Sequence, residues 1–201
     1  CSELVTHSYV RSFFSKEGPA VSTVRAGNVI GGGDFARDRI VPDCVRAALK
    51  KKPVFVRNPA SVRPFQHVLD PLFVYLMIAA KQARNPSLGG CYNVGPKESD
   101  CISAGQLAEL FCRFWQEGQE WMSPEPKTGG MKPHEANFLK LDCSKLACVF
   151  GWQPVWNIGA AVEKTVEWAK AVRDGRDAQT CTLQQLHAFL EDAKKGGNDY
   201  V

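Results

Sequence analysis

Hydrophobic and polar positions divide this chain into a first half of alternating strands and helices and a second half that is mostly helical. Val21, Thr23, Val24 and apolar Ala26 predict a strand over residues 21–27 that is covered on both faces. Three glycines, Gly31 to Gly33, interrupt this run, and the apolar spacing of Ile40, Val41, Val45 and Ala48 then predicts a helix over Arg39–Lys51. A loop leaving the carboxyl end of a buried strand is where open α/β sheets bind ligands. By spacing alone the same glycines also suit a plain surface turn, because no complete phosphate-loop or dinucleotide pattern is present.

Further elements follow the same logic. Ser2 to Phe14 reads as the end of a helix, with Leu4, Val5, Ser8 and the Tyr9–Phe13 pair on one side. Pro53 to Val56 predicts a short strand and Cys91 to Val94 a buried one. Asp70 before Pro71 is a helix-start signal: the carboxylate accepts from orphan amides, proline occupies the first turn, and Leu72, Phe73, Leu76 and Ala80 follow at helical spacing. Ser103-x-x-Gln106 is a capping box ahead of the stripe Leu107, Leu110, Phe111, Phe114 and Trp115, a pattern of core packing that Gly118 closes. Asp142–Phe150, Ile158–Arg173 and Thr182–Asp192 predict three more helices. Trp121 to Pro133, rich in proline, glycine and lysine, reads either as a linker or as a loop that orders over a bound ligand.

Composition narrows the class. The 201 residues, 44% hydrophobic and 23% charged, are enough to bury a sizeable core in one domain or two small ones. No apolar run approaches the roughly 20 residues of a membrane span, so no membrane partner is expected. The eight cysteines are scattered without a Cys-x-x-Cys pair and the four histidines without a close ligand pair, which predicts reduced, mostly buried thiols and no metal site. Net charge is only +4, yet basic residues outnumber acids between Asp34 and Arg63, a favourable local field for a nucleotide diphosphate. A nucleic-acid partner is not expected, since the chain lacks a long basic stripe interleaved with aromatics. Lys50 to Lys52 suit solvated charges at a helix carboxyl end better than ligands.

Arg25-x-x-Asn28 before Gly-Gly-Gly-Asp, Asp38-Arg39-Ile40-Val41-Pro42-Asp43, Arg57-Asn58-Pro59, Arg63-Pro64-Phe65-Gln66-His67-Val68, Tyr92-Asn93-Val94-Gly95, Pro133-His134-Glu135, Leu141-Asp142-Cys143-Ser144-Lys145 and Gly151-Trp152 occur in a fixed order. In that order they closely resemble the second half of the nucleotide-sugar 4,6-dehydratases of the extended short-chain dehydrogenase superfamily, and specifically its CDP-glucose branch. The resemblance runs from Cys1 to about Gly175. Asn28, Arg63 and Tyr92-Asn93 mark the superfamily loosely; the Gly-Gly-Gly-Asp loop, Arg-Pro-Phe-Gln-His and Pro-His-Glu point to the branch.

The resemblance implies an α/β fold: the C-terminal part of a Rossmann-like doubly wound sheet plus a smaller, mostly helical substrate-binding region. Residues 1–100 are expected to belong to the NAD-binding domain with interleaved substrate-binding segments, 101–192 to the helical nucleotide-sugar-binding region, and 193–201 to a frayed tail. The chain has no glycine fingerprint after a first strand and no Tyr-x-x-x-Lys pair. In the family that pair lies directly upstream of a segment like Cys1 to Val5, so the chain reads as a C-terminal fragment, inactive by itself, of an NAD-dependent hydro-lyase. No catalytic residue is therefore assigned within it. The implied reaction converts CDP-glucose to CDP-4-keto-6-deoxyglucose and water, a step of deoxysugar biosynthesis for lipopolysaccharide, in a cytoplasmic homodimer.

Candidate site residues follow from the same resemblance. Arg63 is the leading candidate for the diphosphate, because a planar guanidinium pairs phosphates bidentately. Asn28 is assigned to the same group or the sugar, and Arg39 is a second cation, unless it simply pairs with Asp38 or Asp43. Val56 and Arg57 are expected to border the cytosine. Related dehydratases carry an arginine near the loop that here reads Pro133-His134-Glu135, and this chain has none between Arg113 and Arg173, so His134 or Lys132 is the substitute donor. Ala26 and Gly27 are expected to bring the backbone close to the nicotinamide of NAD, most of which the missing half would bind. Asp34, Asp70 and Glu135 are carboxylates without an assigned partner. Two alternatives remain: another epimerase or dehydratase of the superfamily, or a non-catalytic nucleotide-sugar-binding module.

Overall fold

The computed structural model describes residues 1–14, 18–123 and 138–198. Helix α1 (Ser2–Phe13) precedes strand β1 (Thr23–Ala26), which continues after Gly27 as β2 (Asn28–Ile30). Helix α2 (Ile40–Leu49) leads to the short strands β3 (Val54–Phe55), β4 (Val62–Arg63) and β5 (Phe65–His67), then to α3 (Leu69–Arg84) and β6 (Cys91–Val94). Strand β7 (Ile102–Ser103), helix α4 (Ala104–Trp115) and β8 (Trp121–Met122) follow, and α5 (Ser144–Phe150), α6 (Ile158–Arg173) and α7 (Ala178–Lys195) complete the described chain. Among the described residues no helix is long and apolar enough to cross a membrane.

The sheet is parallel where it positions the site. Strand β1 runs alongside β6, with Thr23 opposite Cys91 and Ala26 opposite Val94. At Gly27 the chain changes partner: the Gly27 amide still donates to the Val94 carbonyl at 3.0 Å, but the Asn28 amide donates to Pro64 at 2.9 Å. From there β2 runs parallel to β5, with Asn28 opposite Phe65 and Ile30 opposite His67. Strands β6 and β5 thus diverge on either side of Gly27. Buried Gln66 bridges the split, donating to the Val94 carbonyl at 3.0 Å.

Three apolar clusters cover these strands. On one face Val74, Met77 and Ile78 of α3 pack with Tyr92, Val94, Leu146, Phe150 and Trp152. The largest cluster joins α2, α4 and α6 through Val41, Cys44, Leu107, Phe111, Trp115, Ala161 and Val162, and takes in Ile30, Val54 and Phe65. Phe111 and Trp115 stack at 5.5 Å between ring centres, so the aromatic stripe of α4 is core. The third cluster seats Trp156 and Phe189, joining α7 to the rest. Helix α1 buries none of its residues: Leu4, Val5, Tyr9 and Phe13 are exposed, although Arg25 of β1 is bonded to Glu3.

Several local signals hold. Ser103 accepts from the Gln106 amide while the Gln106 side chain accepts from the Ser103 amide, completing the capping box of α4. Helix α4 ends at Trp115, and Gln116, Glu117 and Gly118 all take positive φ in the turn that follows. Helix α7 starts four residues earlier than its apolar pattern indicates, because Asp177 accepts from the Thr180 amide at 2.7 Å. Of the eight cysteines, all free, only Cys44 and Cys181 are buried, since the others sit on strand edges, helix flanks and loops.

Asp70 requires a correction. It is not the N-cap of α3: the helix has begun by Leu69, whose amide reaches His67 Nδ1 at 3.3 Å, and Asp70 lies inside its first turn. The carboxylate instead turns inward, only 1% exposed, and accepts from the Val155 amide at 2.9 Å. It therefore staples α3 to the segment that leads into α6.

Candidate functional site

A cleft of about 520 Å³ opens where the chain changes partner. Its walls come from the end of β1, β2 with the glycine loop, the start of α2, the turn into β4 and β5, and Leu139 and Leu141 of the segment before α5. This is the crevice beyond the carboxyl ends of diverging parallel strands, the position at which open α/β sheets bind ligands.

Five of the eight candidate residues line it: Ala26, Gly27, Asn28, Arg39 and Arg63. Asn28 opens β2 and is exposed, while Ile30, two residues on and on the same face of the strand, is buried, so burial deepens along β2 and leaves the amide at its open end. Arg63 lies on β4, which is held antiparallel to β7 with Arg63 opposite Ile102, and its guanidinium donates to the Val62 carbonyl at 2.9 Å. Arg39 is the residue immediately before α2. Its simple pairing role does not apply, because Asp38 pairs with Arg57 at 3.5 Å and Asp43 is bonded to Arg46. Arg57 thus reaches the cleft edge through Asp38, which lines the wall. Val56, 5% exposed, packs in the core and does not line the cleft. His134, with Lys132 and Glu135, lies outside the described residues.

The glycines have packing reasons. A Cβ on Gly27 would stand 2.4 Å from the Pro64 carbonyl, so the close approach requiring glycine there is that of the neighbouring strand. A Cβ on Gly32 would meet the Trp168 ring of α6 at 2.3 Å, and Gly33 alone of the three takes positive φ, +81°. Trp168 in turn donates to Thr182 of α7 at 3.0 Å. The loop is therefore moulded against the helical region, and this fixes the path by which Asp34 and Asp38 reach the cleft.

Beneath the loop sit two buried titratable groups, His67 and Asp70, to which the sequence reading gave no place in the site. His67, 1% exposed, packs edge-on against Trp156 at 4.8 Å, and its Nε2 has no partner among the described residues. Burial, aided by the Lys164 charge, pulls its pKa down to about 4. Burial pushes Asp70 up to about 7 against the opposing pull of the Val155 and Trp156 amides. Both are neutral in the folded protein near pH 6. Cleft residues Ser61, Phe65, Ala104, Leu139 and Leu141 were likewise given no site role by the sequence reading; only the fold brings them to one wall.

The fold is shared with solved nucleotide-sugar 4-epimerases and 4,6-dehydratases, over about half the length of their chains. UDP-glucuronic acid 4-epimerase from Bacillus cereus, solved with NAD and a UDP-sugar, superposes with a TM-score of 0.68 at 18% identity, covering 85% of this chain and 50% of its own. dTDP-glucose 4,6-dehydratase from Bacillus anthracis, solved with NAD, gives 0.64 at 16% identity over 87% of this chain and 51% of its own. In sequence, the chain is a relative of CDP-glucose 4,6-dehydratase from Salmonella typhimurium, to which it is 35% identical over 196 residues, 94% of this chain and 54% of that protein. The chain spans about half the length of the relatives it matches. No protein-family model matches it.

Proposed function

We propose that this chain is the substrate-binding portion of an NAD-dependent CDP-glucose 4,6-dehydratase, a lyase acting in the cytoplasm as a homodimer. The observation that carries the reading is the 35% identity to a CDP-glucose 4,6-dehydratase across 94% of the chain. The cleft supports it, because it gathers Asn28, Arg39 and Arg63 at the strand ends. Arg63 and Arg39 hold the diphosphate, since two guanidiniums match its charge and offer paired donors in a partly enclosed space. The Asn28 amide orients the phosphate or the sugar. Apolar Ile40, Pro42, Phe65, Leu139 and Leu141 exclude water from the rest of the bound molecule.

The described residues fit one edge of NAD. Ala26 and Gly27 put small residues on the cleft wall, where a flat ring can lie close. When bound, NAD supplies the hydride acceptor and donor of the reaction. The residues promoting oxidation and elimination are those expected upstream of Cys1, so this chain binds, orients and shields while the remainder of the enzyme performs the chemistry.

The test is to incubate the complete enzyme, chain and upstream polypeptide together, with NAD and each of CDP-, UDP-, dTDP- and GDP-glucose. Loss of one water from CDP-glucose, seen by mass spectrometry with no net NADH formed, is the expected result. Conversion of UDP-glucose to UDP-galactose instead would overturn the reading. In the same assay Arg63→Ala should weaken kcat/KM for CDP-glucose by about 2–4 kcal/mol, chiefly through KM; unchanged kinetics would remove Arg63 from the site.

A further inference from the structure

One carboxylate in the cleft has no part in holding a diphosphate and is engaged by a single long, exposed ion pair among the described residues. Asp34 accepts from the Ala36 amide at 2.9 Å, and Asp43 is bonded to Arg46. Asp38 lines the cleft next to Arg39, 82% exposed, and among the described residues its ion pair is to Arg57 at 3.5 Å. Its backbone sits at φ 60°, a conformation that asparagine and aspartate tolerate better than other residues with a side chain. A carboxylate beside an anion-binding pair of arginines repels a diphosphate, so its presence calls for a donor on the ligand. Nucleotide sugars offer hydroxyl donors, and cytosine adds an exocyclic amino group at the position where uracil and thymine present a carbonyl oxygen. Carboxylates pair with that amino group and are repelled by the oxygen. The Asp38–Arg57 pair joins the turn before α2 to the loop after β3.

We propose that Asp38 selects the base, accepting a hydrogen bond from the cytosine amino group while Arg57 steadies its carboxylate. This rests on the reading of the cleft as a CDP-sugar site.

The experiment is calorimetric titration of CDP, UDP, dTDP and GDP into the complete NAD-loaded enzyme, wild type and Asp38→Asn, a substitution that keeps both side-chain size and tolerance of the backbone conformation. Wild type should prefer CDP to UDP by roughly tenfold or more. Asp38→Asn should bring the two within about threefold of each other, because the amide can donate to the uracil oxygen, and it should raise KM for CDP-glucose with kcat nearly unchanged. Asp38→Ala should lose CDP affinity without gaining UDP affinity. A CDP preference that survives in both variants would overturn the assignment, as would parallel weakening of all four nucleotides, which marks a contact to ribose. Tightest binding of GDP by wild type would overturn the cytosine choice. Wild type without any CDP preference would overturn the CDP-sugar reading itself, whereas a wild-type preference untouched by the variants overturns Asp38 alone.

Discussion

His67 and Asp70, three residues apart and both 1% exposed, should make opposite contributions to the pH dependence of stability that nearly cancel in the wild type. Asp70 titrates near 3.8 when free and at about 7 when folded. Between those values the unfolded chain holds one proton fewer than the folded one, so stability falls by about 1.4 kcal/mol per pH unit as pH rises. The contribution is full below the unfolded pKa and gone above the folded one, at most about 4 kcal/mol in all. His67 behaves in reverse, with a free value of 6.5 and a folded value of about 4. Below 6.5 the unfolded chain holds one proton more, so stability drops as pH falls, by about 3 kcal/mol in total. Across their shared window the two slopes oppose one another. Asp70→Asn should therefore expose the histidine slope: relative to wild type, its stability should rise by about 1.4 kcal/mol per unit between roughly pH 4.5 and 6.5. His67→Asn, which keeps an acceptor near the Leu69 amide, should expose the opposite slope, and the double variant should return to the wild-type profile. Urea unfolding followed by tryptophan fluorescence, with m values compared across pH, measures this directly. The constant loss from the smaller side chain at position 67 leaves the slope unaffected. A difference between Asp70→Asn and wild type that stays flat over the window would refute the buried, protonated carboxyl.

Other consequences concern packing. Gly27→Ala places a methyl 2.4 Å from the Pro64 carbonyl and should cost about 1–3 kcal/mol in chemical denaturation; an unchanged midpoint would show that the change of strand partner is not tight. Gly32→Ala should destabilise by a similar amount through the Trp168 ring 2.3 Å away, and a double-mutant cycle with Trp168→Ala should recover most of that loss, whereas additive effects would place the clash elsewhere. Ser103→Ala removes one half of the capping box and should lower stability by about 1 kcal/mol, with hydrogen exchange accelerated in the first turn of α4; protection equal to wild type would mean that packing alone anchors that end.

What the sequence determined was local or repeated along one element. The stripe from Leu107 to Trp115, the capping box at Ser103 and the helix over Ile158–Arg173 were legible because each signal is contained within a few turns of chain. Motif order carried the family likeness, and with it Asn28, Arg39 and Arg63, three residues far apart in sequence that line one cleft. Tertiary structure alone decided what depended on a partner distant in the chain. Gly27 reads like any strand-end glycine until Pro64 is laid against it, and the glycine loop like a ligand cradle until Trp168 is packed beneath it. Asp70 before Pro71 has the form of a helix cap, yet its carboxyl is claimed by the Val155 amide 85 residues away. Val56 and Arg57 are neighbours in sequence just past β3, but the fold buries the first in the core and leaves the second exposed beside Asp38. Local propensity and capping act over a few residues, whereas burial, desolvation and charge pairing depend on which segments the fold brings together, and that information resides in no single stretch of the chain.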